Sequence, residues 1–434
     1  MNQTGRILLV GRHFWPSACF DSAGFLVQLA TDLQRAGSRA GNRAENRVEV
    51  LTPRYAASWP ERMVYREMLV HRPAAAPRSD WSMSRYVRHL TTWLKSNLES
   101  FDVVLCDAIR DEALAVVETA AGSAVKTVLI SSQWGGQSDP VWWQSSRTAR
   151  RCAAAAKLAD CIVVKDAESE RLLLSKGIAS QKICRIPIGF ASAIGLPNAL
   201  TPGILNDTND WKPCGEKTAA RRRLGMINSD LRTMPDTPVV VCCGRMVRDS
   251  GMDLLVRSAR FLVARYSDLR IWFIGDGPNR QAMYDLLRGD GVRNSISMPG
   301  SFNDLSDVFA AADVYVHAND DGRDYTLPAA VSAELPIVAM DTPAVRCALS
   351  TGHDWVRFVP TATSKSLRVG LREVLDDLPA ARARALELKR HLLRTRPQSQ
   401  VIEDYLRLFQ QLKRSVPSEK PAHRSSGPSI EAAS

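Results

Sequence analysis

Three short apolar runs between Val239 and Ala339 constrain this chain more than any other feature, because each stops abruptly in glycine and charge. The first, Val239-Val240-Val241-Cys242-Cys243, follows Pro238 and breaks at Gly244-Arg245-Met246-Val247-Arg248-Asp249-Ser250-Gly251. The second, Leu269 to Ile274, ends at Gly275-Asp276-Gly277-Pro278. The third, Val314 to Val316, runs into Asn319-Asp320-Asp321-Gly322-Arg323-Asp324. Proline suits the first position of a strand, so Pro238 marks a start. Continuous apolar strands that hand over to helices imply a parallel sheet covered on both faces. In open sheets of that kind the ligand crevice lies beyond the strand C-termini. The pattern therefore locates a candidate site before it says anything of chemistry.

The first half of the chain repeats the alternation. Strands are expected at Ile7–Val10, Val48–Leu51, Asp102–Cys106, Thr127–Ile130, Cys161–Val164 and Ile183–Pro187. Helices are expected between them at 22–36, 86–98, 112–121, 147–158 and 168–176; the first carries Phe25, Leu26, Leu29 and Leu33 on one face. Residues 37–46 are rich in Gly, Asn and Arg and read as a loop. From 194 to 217 periodicity disappears among Pro, Gly, Asn and Asp, which places an interdomain connection there. Beyond Ala339 strand signals fade, and helices are expected at 366–375, 379–393 and 401–412. The tail from Ser415 has a disordered composition.

Size and composition agree. At 434 residues the chain exceeds one ordinary core and suits two domains of roughly 200 residues each. The nine cysteines are odd in number and scattered, and no CxxC pair exists, so neither a disulfide framework nor a zinc site is expected and a reducing cytoplasm fits. No apolar run approaches the ~20 residues of a membrane span. The formal net charge of +11 is compatible with a solvated surface. It is also compatible with attraction to phosphorylated substrates, or with peripheral association at the inner face of an anionic membrane. No stacked aromatics interleave the basic clusters at 147–151 and 221–223, which argues against nucleic acid.

The motifs then converge on a family. Gly244-Arg245-Met246-Val247 with Asp249-Ser250-Gly251-Met252-Asp253-Leu254-Leu255 resembles the family-4 (group 1) glycosyltransferase pattern G-R-L-V-x-E-K-G-x-D-x-L. Ile274-Gly275-Asp276-Gly277-Pro278 is similar to that family's V-G-D-G-P, and Pro299-Gly300-Ser301-Phe302, Ala310–Val314 and Leu335–Ala339 follow in its order. In the first half, Phe14-Trp15-Pro16 and Ala159–Val164 also look like it. The resemblance implies the α/β GT-B fold, two Rossmann-like doubly wound parallel-sheet domains facing across a cleft. The expected division is an acceptor domain at 1–193, a linker at 194–217, a nucleotide-sugar domain at 218–396, a helix at 397–414 returning to the first domain, and a tail at 415–434. It further implies transfer, with retention of configuration, of a sugar from a nucleoside-diphosphate donor to a glycan or lipid-linked acceptor. Neither a cofactor nor a metal is implied.

Without a metal, positive side chains and backbone amides must neutralise the diphosphate. Carried over by the resemblance, Gly244 makes the turn, and Arg245 matches the family arginine, whose guanidinium can grip a phosphate through two hydrogen bonds. The family lysine falls on Ser250, with Arg248 as a compensating cation. The family's E-x7-E pair lands on Asp321, which would hold sugar hydroxyls as the catalytic acid, and on Ala329, which has lost the carboxylate. Gly322, Arg323, Asp324, Thr326 and Leu327 complete the donor segment. Thr326 also reads as an N-cap and Pro328 as a first-turn proline, so a helix N-terminus is expected to face the phosphates. The family's Gly-Gly loop falls on Cys19-Phe20, and only Asp107, Gln133 and Asp139 stand where the first domain often places a histidine. These substitutions leave two readings open: an active transferase, or a degenerate relative that binds nucleotide or glycan without turnover.

Overall fold

The computed structural model describes residues 5–15, 23–38, 47–131, 138–192, 213–248, 250–302, 304–319, 326–349, 353–360 and 363–414. Its first unit holds eight strands: β1 (Arg6–Val10), β2 (Arg47–Leu51), β3 (Arg62–Tyr65), β4 (Met68–His71), β5 (Val103–Asp107), β6 (Lys126–Ile130), β7 (Cys161–Val164) and β8 (Ile183–Arg185). They lie in the order β3-β4-β2-β1-β5-β6-β7-β8. Every pairing is parallel except β3 on β4. The helices Ala23–Ser38 and Gln398–Arg414 cover one face; Asp80–Asn97, Asp111–Ala120 and Arg147–Ala156 cover the other. Burial on both sides explains why β5 and β6 read as unbroken apolar runs.

The second unit has six strands, β9 (Val239–Cys243), β10 (Arg270–Ile274), β11 (Ile296–Gly300), β12 (Val314–His317), β13 (Ile337–Met340) and β14 (Arg357–Val359). Their order is β11-β10-β9-β12-β13-β14, all parallel. Its first helix, Pro213–Ile227, begins ahead of the expected domain start at 218. Most of the expected linker lies outside the described residues, as do 39–46 and the tail from 415.

Two strands of chain tie the units together. Phe190 and the segment around Pro397 form a parallel bridge, with Phe190 N donating to Arg396 O at 3.0 Å and Gln398 N to Phe190 O at 2.8 Å. Helix Gln398–Arg414 then packs its Val401, Ile402, Tyr405 and Phe409 against β1, β5 and β7 of the first unit. Lys165 Nζ donates to Tyr405 Oη at 2.7 Å, and Gln398 Nε2 to Asp32 at 2.9 Å. A helix at 397–414 returning to the first domain is what the family resemblance implied.

The hairpin β3–β4 and the short β14 were not foreseen. In the hairpin, the two turn residues Arg66 and Glu67 both have positive φ, 48° and 66°. That is the twist a two-residue hairpin needs, but the glycine or asparagine that normally announces it is missing.

Candidate functional site

Both sheets reverse their strand order at one point, and that is where an open α/β sheet forms its crevice. In the second unit the reversal falls between β9 and β12, neighbours paired Val314↔Val240 to Val316↔Cys242. Three strand-end loops meet there. The loop after β9 is locked to the loop after β10 by Met246 N donating to Asp276 O at 2.9 Å and Asn279 N donating to Met246 O at 2.9 Å. Glycine is required for this interlock. A Cβ on Gly277 would lie 2.3 Å from Met246 O, and one on Gly251 (φ +75°) would lie 1.8 Å from Ala318 O. The glycines that the motif supplies therefore let the loops pack on one another.

The interlock leaves a depression of about 10 Å3 at the ends of β9 and β12, room for about one oxygen atom or one water. Gly244, Arg245, Ser250, Ala318 and Asn319 are among its lining residues. Arg245 is exposed, as is Arg248 two residues on. Ser250 is only 7% exposed, and its Oγ is buried with no hydrogen-bond partner among the described residues. A buried hydroxyl left unpaired costs roughly 1–3 kcal/mol, so it marks a place where a polar ligand atom would be welcome.

The donor segment is described only from Thr326. Asp321, Gly322, Arg323 and Asp324 lie outside the described residues, as do Asp249, Cys19-Phe20 and Gln133. Helix Thr326–Ser332 starts at Thr326 itself. The Thr326 hydroxyl accepts from Tyr315 Oη at 2.7 Å, and Tyr315 Oη lies 3.1 Å from His317 Nδ1. All three side chains are buried, so His317 belongs to an internal hydrogen-bonded chain that ties β12 to the helix start. Leu327 and Ala329 are also buried, both in the core of the second unit. Leu327 thus has only its backbone to offer a ligand.

The first unit's reversal lies between β1 and β5, and it is filled differently. Arg12, just after β1, grips Glu112 at the start of helix Asp111–Ala120 through Nε–Oε1 at 2.7 Å and Nη2–Oε2 at 3.0 Å. Asp111 stands 3.5 Å from the same guanidinium. Burial opposes charge on all three groups. For Arg12 and Glu112 the mutual attraction wins, holding the guanidinium above and the carboxyl below their ordinary values. For Asp111, burial and the neighbouring Glu112 outweigh Arg12, and its carboxyl is pushed up. Beside them Ala108 sits at φ +65°. Fully buried Asp139 holds that strained turn, accepting from Ile109 N at 2.9 Å and Arg110 Nε at 3.3 Å. Asp139 is a brace, and Asp107 is a buried strand end. Sequence reading missed the Arg12–Glu112 pair, since nothing local links residues 100 apart in the chain.

Among the described residues no group of three or more His, Cys, Asp or Glu is arranged to hold a metal. No helix among them is long and apolar enough to cross a membrane.

The molecule is thus a two-domain α/β protein of the GT-B class, with a small depression at the switch point of its second sheet. Residues 237–377 match the family model described as glycosyl transferases group 1. It is 31% identical over 122 residues to the lipopolysaccharide core biosynthesis glycosyltransferase LpsE of Rhizobium meliloti, covering 27% of this chain and 35% of that protein. To LpsD of the same organism it is 27% identical over 194 residues, covering 44% and 55%. The chain thus spans about a third to a half of the length of these curated relatives. The solved structure of Anabaena HepE in complex with UDP-glucose superposes with a TM-score of 0.68 at 12% identity, covering 94% of this chain and 100% of that one.

Proposed function

We propose that this chain transfers a sugar from a nucleoside-diphosphate donor to a glycan or lipid-linked acceptor of a cell-surface polysaccharide, with retention of configuration and without a metal or cofactor. One observation carries the reading: Arg245 and the unpartnered Ser250 Oγ line one depression at the β9–β12 switch point. An arginine and an unsatisfied donor are what a diphosphate leaving group needs, charge and hydrogen bonds fixed in advance. Arg248 would add a second cation. Asp321 would hold the sugar hydroxyls, and Gly322, Arg323, Asp324 and the backbone at Thr326 and Leu327 would bind the donor. The UDP-glucose complex of HepE, and the lipopolysaccharide role in the names of LpsE and LpsD, support the donor and acceptor classes. The net charge of +11 supports a peripheral place at the inner face of an anionic membrane.

The test is release of nucleoside diphosphate on incubation with UDP-, GDP- and ADP-sugars. Turnover of one donor supports transfer; silence with all of them, with binding still detected by calorimetry, supports a non-catalytic binder. The second reading has its own basis. Ser250 offers one neutral donor where the family pattern has a lysine, and core-packed Ala329 offers no carboxylate.

A further inference from the structure

At the opposite end of the second sheet, helix Pro213–Ile227 and the turn beyond it hold three large apolar side chains out in solvent. Met226 is 77% exposed, Ile227 68% and Met234 73%. Met226 and Met234 line one cleft of about 500 Å3 with Arg222, Arg232 and Arg270, and no acidic residue lines it. Thr237 and Arg270, also in its wall, stand at the starts of β9 and β10, so the cleft lies at the end of the sheet remote from the donor depression.

This exposure is built into the fold. The Arg221 guanidinium donates to the carbonyls of Met234 at 2.6 Å, Pro235 at 2.7 Å and Thr237 at 2.8 Å while holding Asp313 at 2.9 Å. Arg232 Nε ties back to Gly225 O at 3.2 Å. The turn is therefore anchored through its backbone, and Met234 is presented outward on it. Grouped exposed apolar side chains of this size mark an interaction surface.

The arginines select the partner. A purely apolar protein face gives three guanidinium groups nothing to bind, whereas lipid phosphates match their paired donors. Each basic residue close to an anionic bilayer adds to the attraction, and apolar chains gain by entering the headgroup boundary. Asp230 and Asp236 are exposed nearby and temper the attraction at long range, so contact itself must supply it. We infer that this face docks on an anionic phospholipid bilayer, with Met226, Ile227 and Met234 entering the headgroup layer and Arg222, Arg232 and Arg270 receiving phosphates. The inference specifies the membrane part of the reading above and is independent of donor turnover.

Co-sedimentation of the full chain with vesicles tests it. Vesicles of mixed phosphatidylglycerol and phosphatidylcholine should bind the protein, and pure phosphatidylcholine should bind it at least tenfold more weakly. The triple variant Met226→Ser/Ile227→Ser/Met234→Ser should lose at least tenfold in vesicle affinity with an unchanged thermal midpoint, and the exposed single change Arg222→Glu should weaken binding in the same direction. A control pair, Arg85→Glu/Arg88→Glu on the exposed, basic face of helix Asp80–Asn97, should bind as the native chain does. Unchanged binding of the triple variant, loss only in the control pair, or a concentration-dependent dimer abolished by the triple variant would each overturn the assignment. Nucleoside-diphosphate release, followed in parallel without vesicles, separates a failure here from a failure of the glycosyl-transfer reading.

Discussion

The two sheets share one topology and differ in what fills their crevices. At the β1–β5 reversal the first unit neutralises itself: Arg12 is clasped by Glu112 and Asp111, and Arg110 by Asp139. At the β9–β12 reversal Arg245 and Arg248 are exposed, and the buried Ser250 Oγ has no hydrogen-bond partner among the described residues. One crevice uses charge to hold a strained turn in place. The other places two exposed guanidinium groups near a buried hydroxyl.

Glu112→Gln should break the comparison most severely. It leaves a guanidinium only 28% exposed without its main partner, and losing one member of a buried pair costs about 3–5 kcal/mol, to be read from denaturant midpoints. A pH series sharpens the point. Because the Glu112 carboxyl is held below its ordinary value, its contribution to stability is present above the unfolded value near pH 4.3 and is lost as pH falls through the lower folded value. The variant should show a shallower acid limb; an unchanged limb would mean the pair does not hold the first unit together.

Arg245→Ala should act the opposite way. Stability should stay within about 0.5 kcal/mol, as for most surface changes. Affinity for the productive nucleotide sugar should fall by about 1.5–3 kcal/mol, the worth of hydrogen bonds to a charged group. Unaltered affinity by calorimetry would remove Arg245 from the site. Gly251→Ala tests the interlock: the strained backbone alone should cost about 1–3 kcal/mol of stability, and donor affinity should fall with it as Ala318 is displaced. Smallest is Ser250→Ala, which should raise the thermal midpoint slightly, worth about 1 kcal/mol, by removing an unpaired buried hydroxyl. A destabilised variant would show that the hydroxyl already has a partner.

Much of this was legible beforehand where chemistry is local. The runs at β5, β6, β9 and β12 are apolar because both faces are covered, so they announce a parallel sheet directly. Arg245 and Gly251 were legible because motif spacing carries them. The β3–β4 hairpin was not, since Arg66 and Glu67 adopt a conformation that their residue types do not advertise. The role of the glycines shifted too: at 251 and 277 they admit neighbouring loops. His317 is buried, with its Nδ1 3.1 Å from Tyr315 Oη, a pairing that tertiary packing creates.

The order of apolar runs and their glycine-rich ends, properties of neighbouring residues, determined the architecture and where its strands end in loops. Tertiary structure alone decided that Arg12 meets Glu112, that Ser250 Oγ is buried without a partner among the described residues, and that Arg221 holds the turn that carries exposed Met234. Strand periodicity acts over a few residues and is written in the chain. The pairing of a charge depends on the dielectric and the partners that packing brings to it, and no stretch of sequence contains these.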